Sequence, residues 1–127
     1  EQEFENIHVH DAVTPEKVLE VSSSADFGLC LLENVSLSDY LSLPNKLFEY
    51  IFGDLLVLCS DFPAIRNFVY KYKCGLVCKN VNDIPSSMKT IENLRTNNHL
   101  NLNRLQKECS WEAQEKKIVG LYNRLLK

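Results

Sequence analysis

The segment Leu41 to Asp54, LSLPNKLFEYIFGD, holds residues whose types and spacing suit a particular chemistry. Leu47, Phe48 and Ile51 recur at helical spacing, Pro44 fits a first helical turn, and Gly53 can end the helix. A helix start exposes unpaired N–H groups and the positive pole of the helix dipole, so the amino end of the Pro44 helix would form an anion site. Lys46 adds an ammonium with three donors. Glu49 lies five positions beyond Pro44, about a turn and a half along the helix, and its carboxylate can accept hydrogen bonds from a vicinal diol. An anion at the tip and a diol on the flank are the features of a nucleoside diphosphate with its ribose. On spacing alone, an ordinary amphipathic helix with a solvated lysine and glutamate is the commoner arrangement, since charged helix residues are usually exposed.

The surrounding elements must position that helix. NIHVH reads as a short strand, and VTPEKVLEVSSS as a helix with Thr14 as cap and Pro15 at its first position. ADFGLCLLE is a nearly continuous apolar run, as expected of a strand buried on both faces. NVSLSDYLS reads as a polar loop, LLVLCSD as a second buried strand, FPAIRNFVYKYK as a helix from Pro63, and CGLVCK as a third short strand. Alternating strands and helices predict an α/β fold with a Rossmann-like parallel sheet and crossover helices. The chain reads as a single domain over residues 1–127, a sheet portion over 1–79 and a helical portion over 80–127. Ligands in such sheets sit outside the carboxyl ends of the strands. The loop after Glu33, the Pro44 helix start and the Ser60-Asp61 turn all fall there. The Asn-rich TNNHLNLN reads as a turn between helices.

Composition narrows the classes. With 127 residues, 45% hydrophobic, the chain can bury a core, and a net charge of −3 argues against nucleic acid as partner. No apolar run reaches the ~18 residues of a membrane span. The start, EQEFENIHVH, has no signal-peptide pattern, and the only methionine is Met88, so the chain reads as a piece of a longer protein. Cys30, Cys59, Cys74 and Cys78 occupy apolar, strand-like settings, with Cys109 making an odd five; this predicts free thiols in a reducing compartment rather than a disulfide framework. Cys74 and Cys78 lack a second ligand pair and His8-x-His10 a third ligand, so neither predicts a metal site. Ser60 and Asp61 have no histidine nearby in sequence and read as a cap for the Pro63 helix rather than as catalytic groups. No Asp-x-Asp occurs, which removes the usual clamp for a metal on a sugar diphosphate.

The run ADFGLCLLEN, then SLPNKLFEYIFGDLLVLCSDFPAIRNFVYKYKCGLVCKN, resembles the donor-binding half of family 4 glycosyltransferases, of GT-B architecture, and SWEAQEKKIVGLYNRLL is similar to that family's closing helices. The likeness runs over essentially the whole chain but covers only the later part of a C-terminal domain. The family carries two glutamates separated by seven residues. Glu49, followed by YIFGDLLV, matches the second, which implies a ribose ligand; the first falls at Leu41, so that carboxylate is absent. Leu31 and Leu56 replace usual prolines. The LPNK segment implies that Leu43, Pro44, Asn45 and Lys46 lie beside the diphosphate, with Glu33 and Asn34 toward the sugar.

The resemblance further implies a retaining, metal-independent hexosyl or N-acetylhexosaminyl transferase with no cofactor. Its donor would be a UDP-sugar, and its acceptor a glycan or polyprenyl-diphosphate-linked glycan held by an N-terminal domain outside this chain. The product would be a bacterial surface polysaccharide, O-antigen or capsule. The setting would be cytoplasmic, at the inner face of the cytoplasmic membrane, where the full enzyme admits peripheral association. The family's main phosphate-binding Arg and Lys would lie upstream of Glu1, leaving the fragment alone inactive. A GT-B sugar-nucleotide epimerase and a non-catalytic α/β interaction module are the alternatives. The final helix sets Trp111, Ile118, Tyr122 and Leu125 on one stripe, which in a GT-B enzyme packs toward the other domain and here would be left exposed; a membrane-surface helix is the competing reading.

Overall fold

The computed structural model describes residues 5–97 and 102–126. Helix α1 (Pro15–Ser23) precedes strand β1 (Phe27–Cys30), followed by α2 (Leu37–Leu41), α3 (Asn45–Phe52), β2 (Leu56–Ser60), α4 (Pro63–Tyr72) and β3 (Gly75–Cys78). A 3₁₀ turn at Val81–Asp83 leads into α5 (Ile84–Asn97), then α6 (Asn103–Cys109) and α7 (Trp111–Leu125). The three strands form an open, wholly parallel sheet in the order β1-β2-β3, with Cys30 opposite Cys59 and Cys59 opposite Val77. The architecture is α/β with flanking helices, compatible with a Rossmann-like fold.

Strand period two divides the apolar residues between the faces. Cys30, Val57 and Cys59 point to one face, where they meet Leu47 and Ile51 of α3, Ile65 and Val69 of α4, and Leu105 of α6. Leu56, Leu58 and Cys78 point to the other, against Ile91 of α5. The helical portion after residue 79 therefore supplies part of the cover on both faces. Two close approaches require glycine. A Cβ on Gly75 would stand 1.9 Å from the Val57 carbonyl oxygen, and one on Gly28 would stand 2.2 Å from a ring carbon of Tyr50, which lies across β1.

Several expectations are corrected. NIHVH forms no strand: Ile7 to His10 lack ladder partners, and Val9 is 94% exposed. An alternating pattern becomes a strand only where a neighbour accepts its hydrogen bonds. Strand β1 is fully buried on one face only; on the other, Phe27 is half-buried against the α5 side while Leu29 is 41% exposed, since α5 packs mainly on β2 and β3. The loop NVSLSDYLS contains α2, started by Ser36, whose Oγ accepts from the Asp39 amide at 3.1 Å and donates to the Asp39 carboxylate at 2.6 Å. Thr14 sits at the cap position of α1, yet its side chain makes no capping bond to the backbone. Helix α3 ends near Gly53 as expected, but Asp54 takes the left-handed conformation at φ 61°. Gln106 of α6 secures that corner, donating to the Ile51 carbonyl and the Asp54 carboxylate, each at 2.9 Å.

All five cysteines carry free thiols, and four of them are buried as small hydrophobes. The turn read at TNNHLNLN lies largely outside the described residues. Helix α7 has no buried residue among those described, and Trp111, Ile118, Tyr122 and Leu125 are exposed. No helix among the described residues is long and apolar enough to cross a membrane.

Candidate functional site

Each crossover returns the chain across the sheet, so α3 and α4 both begin at the carboxyl edge of the strands, where the loops after β1, β2 and β3 also gather. At the α3 tip Pro44 is the cap rather than the first helical residue, with φ −73° and ψ 147°. It offers no side-chain acceptor, and its carbonyl takes the Leu47 amide at 3.1 Å. The Asn45 and Lys46 amides, donors left over at any helix start, meet no backbone acceptor among the described residues. Asn45, Lys46 and Glu49 are exposed, and among the described residues the side chains of Lys46 and Glu49 make no hydrogen bond or ion pair. Leu43, by contrast, is half-buried and packs on the core beneath the tip.

Lys46 lies near enough to the end of β1 for its charge to act on the Cys30 thiol. Cys30 and Cys59 share a hydrogen bond that lowers the first and raises the second, while burial opposes ionisation of both. Cys74 is pushed up to about 12 by burial. None of these buried thiols has the electropositive, accessible setting of a nucleophile.

At the carboxyl edge of the sheet, a cavity of about 380 Å³ opens over the strand ends. Leu31, Leu32 and Glu33 border it after β1, Ser60 to Phe62 after β2, and Lys79 to Val81 after β3, with Ile84 on the fourth side. Phe62 borders the cavity and belongs to the core cluster on which Leu43 also packs, and its ring lies tilted against Tyr40 of α2, centroids 5.3 Å apart.

Most polar side chains on this edge are engaged. Ser60 Oγ accepts from the Leu32 amide at 2.7 Å and donates to the Leu32 carbonyl at 2.8 Å, tying the end of β2 to the loop that carries Glu33. Asp61 is 7% exposed at its side chain and accepts from Arg66 Nε. Neither caps α4, whose cap residue is Phe62, so the sequence-based assignment of Ser60-Asp61 as a helix cap is corrected: both side chains are taken by other partners. Asn80 forms a capping box with Asp83, and the Cys78 thiol donates to the Cys59 carbonyl at 3.5 Å. Glu33 and Lys79, both exposed, have no side-chain partner among the described residues.

The structure thus groups Pro44, Asn45, Lys46 and Glu49 on α3, and Glu33 with Lys79 around the cavity. Asn34 is exposed and does not border the cavity. Lys79 and Asn80 escaped the sequence reading, although their place immediately after β3 was the available signal. Among the described residues no group of three or more His, Cys, Asp or Glu side chains is arranged to hold a metal ion. Comparisons with protein-family models, with curated proteins and with solved structures find no match to this chain.

Proposed function

We propose that this chain is the donor-binding portion of a GT-B glycosyltransferase of the family 4 type, acting on a UDP-sugar. Glu49 holds the ribose hydroxyls, Lys46 and the Asn45 amide hold the diphosphate, and Glu33 or Asn34 faces the sugar. One observation carries the reading. An exposed ammonium, an exposed carboxylate one turn on, and two unused backbone donors stand together at the carboxyl edge of a parallel sheet, with no partner among the described residues. The resemblance of LPNKLFEYIFGD to the family's donor segment supplies the rest.

In the transfer reaction, charge develops on the departing diphosphate. Donors already aimed at that position stabilise it without reorganising. Here the helix tip and Lys46 fill that role, supplemented by basic residues of the full enzyme. The acceptor, a glycan or polyprenyl-linked glycan, belongs to the second domain, and the setting is the cytoplasm or the inner membrane face.

The test is an NMR titration of this chain with UDP. Affinity should be weak, on the order of millimolar, since only a few charge-assisted bonds are available. Amides of residues 43 to 49 should shift while those of α7 stay still. Glu49→Ala should weaken binding by about tenfold or more, the equivalent of one charge-assisted bond. Unmoved amides at 43 to 49, or unchanged affinity in a folded Glu49→Ala variant, would overturn the assignment.

A further inference from the structure

We propose that the free edge of β3 is a docking site for an extended peptide with an apolar centre and acidic flanks, which adds to the sheet as a further strand. The phase of the ladder decides which backbone groups are available. The Val57 amide donates to the Cys74 carbonyl and the Asp61 amide to the Cys78 carbonyl, each at 3.1 Å, and β2 and β3 pair in parallel register between those two bonds. Along such a ladder the backbone groups of successive residues turn alternately toward and away from the neighbour. Cys74, Leu76 and Cys78 therefore face β2, and Gly75 and Val77 face the other way. Strand β3 ends the order β1-β2-β3, so the amides and carbonyls of Gly75 and Val77 meet no partner among the described residues. An outward row of this kind is a template for another strand.

The edge also runs into open space. Helix α4 packs on one face of the sheet and α5 on the other, and residues of both line a cavity of about 350 Å³ at the amino end of β3. Leu56, Val69, Leu76 and Leu94 give it apolar walls, and Gly75 borders it with bare backbone. Tyr70, also on its border, is 61% exposed. A strand laid along Gly75 and Val77 presents every second side chain to one face. One of these reaches the cavity, and an apolar one matches its walls.

Charge chooses among strands. From Cys74 to Cys78 the edge carries no charged residue, while Lys73 and Lys79, both exposed, bracket it. The extended chain between them spans about 20 Å. A peptide with acidic residues about six positions apart therefore meets both ammonium groups. The same lysines oppose a second copy of this chain. Antiparallel pairing of two β3 edges would set Lys73 of one against Lys79 of the other, like charge opposite like charge. Lysines at an apolar edge guard against self-pairing in this way.

The experiment is an NMR titration of the chain with two peptides blocked at both ends, EVTLTVE and KVTLTVK. EVTLTVE should shift the Gly75 and Val77 amides and give them hydrogen-exchange protection, while residues 43 to 49 stay still. KVTLTVK should bind about tenfold more weakly, the difference between two exposed ion pairs and two like-charge contacts. Methylating the peptide nitrogens along one edge should abolish binding, and along the other edge should leave it, with the protein unaltered in both cases. Lys73→Glu combined with Lys79→Glu should invert the ranking of the two peptides. No response at Gly75 and Val77 with millimolar EVTLTVE would overturn the proposal, as would equal affinity for the two peptides. Methylated peptides that bind alike would show contact without strand addition and overturn it too. Protection of Gly75 and Val77 that needs no peptide and rises with protein concentration would give the edge to a second copy instead.

Discussion

Ser60→Ala is the substitution whose consequence the geometry sets most directly. The hydroxyl makes two bonds to one residue 28 positions earlier, at 2.7 Å to the Leu32 amide and 2.8 Å to its carbonyl. Truncation strands both backbone groups. A typical hydrogen bond contributes about 0.5–1.5 kcal/mol net, so two give roughly 1–3 kcal/mol. Because the site is part-buried, water can reach the freed groups, and the lower half of that range, ~1–2 kcal/mol, is expected. With about 2.1 cal/mol/K of unfolding entropy per residue, a chain of 127 residues loses about 4 °C of melting temperature per kcal/mol. The expected drop is thus about 4–8 °C by circular dichroism. The Leu32 amide should also lose hydrogen-exchange protection, since its acceptor is gone. Ser60→Thr retains the hydroxyl and should recover most of the stability. A melting temperature within about 1 °C of the parent, with Leu32 protection intact, would refute the assigned bonds.

Two further outcomes are expected. Lys46→Ala should weaken UDP while leaving uridine binding nearly unchanged, because the ammonium meets only phosphates; the difference should shrink with added salt, and equal losses for both ligands would exclude the phosphate role. The Glu108 carboxyl is held below its usual 4.5 by Arg104 and then by Tyr72, so its NMR titration midpoint should lie below that value. Its folded value being depressed, the α6 contribution is complete above the unfolded carboxyl value and lost as pH falls through the folded one. Phe substitution of Tyr72, which donates to Glu108 at 2.9 Å, should raise the midpoint.

Local signals made part of this fold legible. LLVLCSD is a strand between turn residues, and its four leading positions in β2, Leu56 to Cys59, are all buried. Pro63 starts α4 where proline belongs. The α3 tip was readable for the same reason, since Pro44, Lys46 and Glu49 are placed by one helix. Helix α2 was missed although SLSD carries a capping pattern, because five residues give too short a periodicity to register. Other features depend on distant partners. NIHVH has the alternation of a strand without a neighbour, Leu29 is exposed because α5 covers mainly the other two strands, and Ser60 finds Leu32 through the parallel register. Lys79 reaches the cavity only because β3 ends beside β2.

The carboxyl edge separates its polar side chains by what they already hold. Ser60, Asp61 and Asn80 are engaged, and their bonds fix the loops that follow the strands. Glu33, Lys46, Glu49 and Lys79, two anions and two cations, stay exposed and form no side-chain pair among the described residues, not even where Lys46 and Glu49 stand three positions apart on one helix. Such a pair would add only about 0.2–0.5 kcal/mol to an exposed helix, so the free state forfeits little by leaving it unmade. A ligand gains more, because it breaks no internal salt bridge on arrival and meets donors and acceptors whose backbone is already held by other bonds. Preorganisation of this kind lowers the cost of binding without enlarging the contact. It is also why substitutions at the engaged group should register first in melting temperature, and substitutions at the free group first in ligand affinity.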